Sequence, residues 1–204
     1  MRLLVSAATA VSILGLAVLM LLTPFWTHAG LDASGATSTF ATSDQPYSIN
    51  DATVATLLFG GSFEGIGGGS FYSVDEASHL RDARLILYAF FALLLMSVVF
   101  LVARLTRRAG RESWNAVARG GLAVAIGVVV FGVVGFLAFD IAFELFHRIL
   151  FPGGNWEFPA SSNMLQLYPY GFWQLTAMAL GLISIVGGVI TWRAGRARER
   201  RLAA

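Results

Sequence analysis

The chain of 204 residues contains no cysteine and no lysine, and only 13% of its residues are charged. The absence of cysteine excludes disulfides, thioester intermediates and cysteine-ligated metal sites. Soluble domains carry about 25% charged residues, whereas 56% of this chain is hydrophobic. The composition therefore indicates a protein of the lipid bilayer.

Four apolar runs lie at about residues 3–25, 85–103, 122–139 and 172–190. Each approaches the roughly 20 residues that a helix needs to cross a bilayer. We therefore expect an all-α, polytopic membrane protein whose residues 1–204 form a single transmembrane domain with four transmembrane helices. The first run, with Arg2 before it and THAG at residues 27–30 after it, also resembles a secretory signal. It exceeds the roughly 7–15 apolar residues of a signal core, so we expect a retained helix.

Arginine is distributed unevenly between the segments that connect these runs. Because basic residues concentrate on the cytoplasmic side, the pattern predicts cytoplasmic termini and two outer loops, at about residues 26–83 and 144–170. Basic runs beside spans anchor helices and meet anionic lipid, so we expect membrane lipids and no nucleic acid as partners. The arginines assigned to the inner side are Arg2, Arg104, Arg107, Arg108, Arg111, Arg119, Arg193, Arg196, Arg198, Arg200 and Arg201.

The remaining ionisable side chains gather on the predicted outer side. All three histidines lie there, and of the 12 acidic residues only Glu112 and Glu199 do not. If the protein carries out chemistry, we expect it at the outer face of the membrane.

The first outer loop combines three kinds of sequence. A polar stretch of small residues is followed by YSINDATVATLLFGG, which is typical of a short interfacial helix. The glycine-rich residues 60–69 suggest either a hinge or a linker, and we favour a linker. Ser73 and Glu76 then form an S-x-x-E capping box, which predicts a helix that starts here and continues into the second span.

His79 and His147 are the candidate catalytic residues. Glu76 and Asp82 lie one turn from His79 and could fix its tautomer or raise its basicity. At 1.5 Å per residue, His79 lies about 9 Å before the second span, and His147 about 10 Å beyond Asp140 if that helix continues. Both would reach the level of the lipid headgroups. The simpler alternative for each is an interfacial histidine in a solvated, charged turn.

The second outer loop supplies further candidates. Asp140, Glu144 and His147 follow i, i+4, i+7 spacing and share a helix face. We expect the two carboxylates to orient His147, with Arg148 beside them. An aromatic belt follows, from which Trp156, Tyr168 and Trp173 are candidate substrate-binding residues, although plain anchoring at the interface explains most such rings.

Two chemistries suit these residues. The spacing E-x-x-H occurs twice, at Glu76–His79 and Glu144–His147, as in di-iron helical bundles. Such bundles also need a glutamate from each of two further helices, and the first and fourth spans offer none. The other chemistry is metal-free acyl transfer with histidine as the proton carrier, and no GxSxG nucleophile elbow is present. A metal-dependent lipid hydrolase and a non-enzymatic membrane partner protein remain the alternatives.

The segments HLRD at 79–82, FHRILFPGGNW at 146–156 and LYPYGFW at 167–173 resemble the lipoprotein intramolecular transacylase (Lit) family. The resemblance implies a bacterial cell-membrane enzyme, without cofactor, whose site faces outside and whose substrate is a diacylated lipoprotein. Such enzymes move an acyl chain from the sn-2 oxygen of the diacylglyceryl group to the α-amino group of the N-terminal cysteine, giving the lyso form. The family's two functional histidines correspond to His79 and His147. Ala83 and the glycine-rich residues 60–69 depart from the family pattern.

The proton chemistry calls for a base and a donor, and the sequence leaves open which histidine takes which role. An α-amine with a pKa near 8 is mostly protonated at neutral pH and must lose a proton before it attacks an ester. His79 is the candidate general base for this step. Attack creates an oxyanion that needs a donor, and His147 is the candidate donor or acid.

Overall fold

The computed structural model describes residues 1–42, 44–69 and 71–203. Within these ranges the chain forms eight α-helices and one short 3-10 helix, and no strand. Four helices are long and apolar enough to cross a membrane: α1, α4, α5 and α8. The predicted all-α class with four candidate spans is therefore confirmed. The helices are α1 (Arg2–Leu21), α2 (Pro24–Ala33), α3 (Asp44–Phe59), α4 (Val74–Arg107), α5 (Arg111–Leu137), α6 (Phe139–Leu150), α7 (Asn163–Leu167) and α8 (Tyr170–Arg201), with the 3-10 helix at Ala36–Thr39.

Local sequence signals set several of these boundaries. The Ser73 amide donates to Glu76 Oε2 over 2.7 Å, and the Glu76 amide donates to Ser73 Oγ over 3.2 Å. This reciprocal pair is the predicted capping box, and α4 begins at the next residue. A break at Ala138, with φ −132° and ψ 47°, separates α5 from α6. The third span therefore does not continue as one helix to His147, so the condition on which the depth of His147 was calculated is not met.

The contacts divide the chain into two compact units. The first comprises Met1–Met20, Phe90–Leu137 and Met178–Ala204. Small residues bring its helices close together, because a Cβ at Gly121 of α5 would lie 2.6 Å from the Gly188 carbonyl oxygen of α8. A hydrogen bond of 2.8 Å joins the Ser6 hydroxyl of α1 to the Ala116 carbonyl of α5. Close backbone approach at small residues is the usual packing mode of membrane helices.

The second unit comprises Leu21–Ala89 and Ala138–Ala177, and it contains every candidate catalytic and substrate-binding residue. It has its own hydrophobic core, to which α2, α3, the first turns of α4 and the segment around α7 all contribute. The buried members of this core are Leu31, Ala36, Ile49, Phe63, Ile66, Tyr72, Ala77, Leu80, Met164, Leu167, Tyr168 and Phe172.

The glycine-rich residues 60–69 are part of this core. Phe63 has no exposed surface, and Ile66 is also buried. Arg84 donates to the Gly61 carbonyl over 2.8 Å, and its guanidinium lies 5.3 Å from the centre of the Phe63 ring. Glycines with positive φ make the tight turns that this packing requires. The interpretation of the segment as a linker was wrong, because two apolar side chains fix it in the core. The positive-φ glycines are Gly60, Gly61, Gly67, Gly68 and Gly69.

Candidate active site

His79 lies on the second turn of α4, inside an aromatic enclosure. Only 8% of its surface is exposed. Its ring centre lies 4.4 Å from that of Phe151 and 5.7 Å from that of Phe158. The capping box determines where α4 begins and thereby which turn carries His79 into this enclosure.

His147 lies on α6, with one ring nitrogen already bound. Its Nδ1 is 2.8 Å from the Phe143 carbonyl oxygen. A carbonyl only accepts hydrogen bonds, so Nδ1 must carry the hydrogen, and the neutral ring keeps its lone pair on Nε2. Burial lowers the pKa of His147, and the hydrogen bond to the Phe143 carbonyl opposes this by favouring the protonated ring. The net direction is downward, so His147 is a neutral base at pH 7.

The two imidazoles face each other. Their ring centres are 6.0 Å apart, and the ring planes are inclined by 26°. Phe151 contacts both, because its ring also lies 5.7 Å from that of His147. The sequence analysis did not single out Phe143 or Phe151. For Phe143 the signal was present, since it lies four residues before His147 on α6 and shares its helix face, whereas Phe151 is the C-cap residue, where α6 ends.

The Glu76 carboxylate acts as a structural clamp, because its hydrogen bonds join two segments of the chain. One of its carboxylate oxygens accepts from the Ser162 hydroxyl and, over 2.9 Å, from the Met164 amide, while the other accepts from Ser73. With 3% of its surface exposed, the residue joins the start of α4 to the segment that begins α7. Glu76 is therefore not placed to support His79 as predicted, because both of its carboxylate oxygens already accept hydrogen bonds from other groups.

The carboxylates of α6 also have other partners. Asp140 accepts from the Tyr170 hydroxyl, and Glu144 forms an ion pair of 2.6 Å with Arg148. The backbone carbonyl of Phe143, and neither carboxylate, is what orients His147. The expectation that Asp140 and Glu144 hold this ring therefore does not fit the structure.

Asp82 is linked to a residue that the sequence analysis missed. The Asn155 side-chain amide donates to Asp82 Oδ2 over 2.6 Å. Both side chains border a cavity of about 330 Å³. Asn155 lies within the GGNW part of a segment that the resemblance already marked, so the signal was its place in that motif. The other residues around the cavity are Leu85, Ile86, Leu150, Phe151, Pro152 and Gly153.

The three aromatic candidates occupy different environments. The Trp156 ring centre lies 5.0 Å from that of His147, so this indole borders the site. Tyr168 is 8% exposed, and its hydroxyl donates to Asn50 Oδ1 over 3.1 Å, which makes it a core residue. Trp173 is 39% exposed and packs against Tyr168 at 5.9 Å between ring centres. Tyr168 is therefore not available to line the site as expected.

Among the described residues, no group of three or more histidine or acidic side chains is placed so that it could hold a metal ion. The glutamates of both E-x-x-H motifs, Glu76 and Glu144, have the partners given above.

The chain is similar to a curated protein of unknown function. An uncharacterised protein of Aquifex aeolicus is 24% identical over 116 residues, which cover 56% of this chain and 52% of that protein. The chain thus spans about half the length of this curated relative.

Solved structures share the fold. The lipoprotein intramolecular transacylase Lit of Bacillus cereus is 19% identical, with 98% of this chain and 94% of that chain covered and a TM-score of 0.85. A histidine-to-alanine variant of that protein is 20% identical, with coverages of 98% and 92% and a TM-score of 0.74. The family model for lipoprotein intramolecular transacylase Lit matches residues 50–173, more than half of the chain, which contain both histidines. The chain therefore belongs to the Lit family.

Proposed function

We propose that this protein transfers an acyl chain from the sn-2 oxygen of a diacylated lipoprotein to the α-amino group of its N-terminal cysteine, giving the lyso form. One observation carries the proposal: His79 and His147 lie 6.0 Å apart, ring centre to ring centre, within the segment that the family model matches. Burial lowers the pKa of both imidazoles, that of His79 to about 4, so both rings are neutral at pH 7 and each has one ring nitrogen that can accept a proton. Amine and ester belong to one substrate molecule, so positioning alone supplies much of the acceleration.

The proton balance of the reaction explains why two histidines are useful. The substrate nitrogen starts as an ammonium group and ends as an amide, so it loses two protons. The departing glycerol oxygen gains one. The first imidazole takes a proton from the ammonium group and becomes an imidazolium, which then protonates the glycerol oxygen. The second takes the other proton as the carbon–nitrogen bond forms, and one proton in total is released.

The hydrogen bond to Phe143 refines the role proposed for His147. With Nδ1–H donating to that carbonyl, the ring offers the lone pair of Nε2 to the substrate. Its lowered pKa keeps this lone pair free at pH 7. We therefore assign the role of general base to His147 as well as to His79, whereas the sequence had suggested a donor or an acid.

The cavity beside Asp82 is our candidate for the position of a substrate acyl chain. Leu85, Ile86 and Leu150 give it an apolar side, while Asp82 and Asn155 form a polar edge. The apolar side suits an acyl chain, whereas Asp82 and Asn155 are hydrogen-bonded to each other. Trp156, next to His147, would cover the reacting ester.

We further propose that the protein lies in the bacterial cell membrane as one transmembrane domain, with cytoplasmic termini and the histidines outside. The arginine distribution supports this orientation. Because the chain has no cysteine, Ser34→Cys gives a single labelling site in the first outer loop. Membrane-impermeant maleimide should label it in intact spheroplasts. Labelling that appears only after lysis would reverse the orientation.

The activity can be tested with purified protein in liposomes and a synthetic diacylated lipopeptide. The neutral product is an isomer of the substrate, so tandem mass spectrometry should show N-acylated cysteine and lyso-glyceryl fragments at unchanged total mass. His79→Ala and His147→Ala should each lose roughly 100-fold or more, as removal of a general base does. If both serve one transition state, the double variant should lose little more.

His28→Ala is the matched control, because His28 lies in the same unit but pairs with Asp51 at 2.7 Å. It should retain activity. Full activity in either site variant would refute the two-histidine mechanism. Hydrolysis products that vanish with chelator and return with added zinc or iron would instead establish the metal-dependent lipid hydrolase.

A further inference from the structure

The Asp82–Asn155 hydrogen bond fixes the direction of the Asn155 amide. A carboxylate only accepts hydrogen bonds, so the NH₂ group must be the part that faces Asp82. The amide oxygen, Oδ1, therefore faces away from Asp82. It is buried and has no hydrogen-bond partner among the described residues.

His79 Nδ1 is a second buried atom without a hydrogen-bond partner in the described part of the chain, here called an orphan like Asn155 Oδ1. The Asn155 side chain nevertheless interacts with the His79 imidazole, although the two groups are not aligned as a hydrogen bond. One orphan is an obligate acceptor, and the other can donate. Leaving either buried atom unpaired is costly, and catalytic hydrogen bonds are often poorly aligned until substrate is bound.

We propose that Asn155 is a positioning residue that connects Asp82 to His79 and holds His79 in the tautomer with hydrogen on Nδ1. Asp82 orients the amide, the amide oxygen accepts from Nδ1, and Nε2 is left to face the substrate. His147 reaches the same state through the Phe143 carbonyl. Both histidines would then present an unprotonated Nε2 to the substrate. The proposed reaction needs two such acceptors, because the substrate's α-amino nitrogen loses two protons. This inference rests on the proposed function for its catalytic consequence, but the tautomer can be measured without activity.

The tautomer test uses nitrogen NMR of ¹⁵N-histidine-labelled protein in nanodiscs. The chain has only three histidines, so His28→Gln and His147→Gln spectra assign the signals. His79 should show the Nδ1–H form in the native chain and shift towards the Nε2–H form in Asn155→Ala. If His79 keeps its native tautomer in Asn155→Ala, or already has the Nε2–H form in the native chain, the proposal is wrong.

The kinetic test separates positioning from binding. Asn155→Ala should lower kcat by roughly tenfold or more, as loss of one buried hydrogen bond allows, with KM unchanged. A raised KM at constant kcat would make Asn155 a substrate-binding residue. A lowered melting temperature with an unchanged tautomer would make it purely structural. Either result overturns the proposal.

A charge-swap pair gives the most specific test. Asn155→Asp alone places two carboxylates in contact and should lose activity. Adding Asp82→Asn lets the carboxylate at position 155 accept both from His79 and from the new amide at position 82, so the Nδ1–H form of His79 should return. The carboxylate also raises the pKa of His79, so the acid limb of the kcat–pH profile should move upward and kcat should recover above that limb. Asp75→Asn in the same Asn155→Asp background is the control, since exposed Asp75 lies on α4 outside this contact. Rescue by both pairs would indicate a general charge effect and contradict the proposed connection from Asp82 through Asn155 to His79.

A native chain without transacylase activity would refute the proposed function, while the NMR result would still decide the tautomer.

Discussion

Replacing Glu76 distinguishes the two roles that sequence and structure give to this residue. The sequence suggested support of His79, whereas the structure shows a buried carboxylate that accepts from Ser73, Ser162 and Met164. Glu76→Ala leaves the Ser162 hydroxyl and the Met164 amide without their acceptor. Each buried donor so orphaned costs about 1–3 kcal/mol, and loss of the capping interaction adds about 1 kcal/mol.

The total predicts a loss of roughly 3–7 kcal/mol in the free energy of unfolding. This corresponds to a fall of on the order of 10 °C in the melting temperature, measurable by thermal unfolding in detergent micelles. Glu64→Ala is the control, because Glu64 has an exposed ion pair with Arg81 and such pairs contribute about 1 kcal/mol or less. Below the transition, folded Glu76→Ala should keep most of its kcat. A variant with native melting temperature but lost kcat would refute the clamp and restore the catalytic role.

Three further predictions concern separate parts of the chain. The pKa of His147 is lowered from 6.5, so its neutral form persists below that pH. The acid limb of the kcat–pH profile that reports protonation of His147 should therefore have its midpoint below 6.5. A midpoint above 6.5 would contradict the lowered pKa. Gly121→Ala should destabilise the protein in thermal unfolding by about 1–3 kcal/mol, because the new Cβ meets a carbonyl of α8 at 2.6 Å, whereas Gly127→Ala, which meets nothing within 4 Å, should be neutral or stabilising. Tyr168→Phe orphans Asn50 Oδ1 and should cost about 1–3 kcal/mol of stability while leaving KM unchanged; a raised KM would return Tyr168 to the substrate site.

Features encoded by neighbouring residues could be predicted from the sequence. The four apolar runs and the Ser73–Glu76 capping box depend on residues close in the chain, and they appear as four candidate spans and the start of α4. The two histidines could also be chosen, because the segments around them resemble a family.

The partners of the carboxylates could not be predicted in this way. Sequence spacing offered His79 as the neighbour of Glu76, but two of the donors to the Glu76 carboxylate come from Ser162 and Met164, 86 and 88 residues away. A buried carboxylate binds whichever donors the fold brings to it, and backbone amides are donors that no side-chain pattern reveals. Asn155 escaped notice for a similar reason, because its partner Asp82 lies 73 residues away.

The identity of these partners bears directly on the chemistry. A carboxylate hydrogen-bonded to His147 would raise its pKa by favouring the imidazolium. A protonated ring could not take a proton from the substrate's ammonium group. A neutral carbonyl fixes the tautomer equally well and stabilises the charged ring less, while the surrounding aromatic rings disfavour that charge by desolvation. The structure gives His147 a backbone carbonyl and pairs Asp140 and Glu144 elsewhere. The carboxylates that the sequence placed beside the base are therefore better engaged with other residues, because a reaction that removes two protons from an ammonium nitrogen needs bases that are neutral when the substrate arrives.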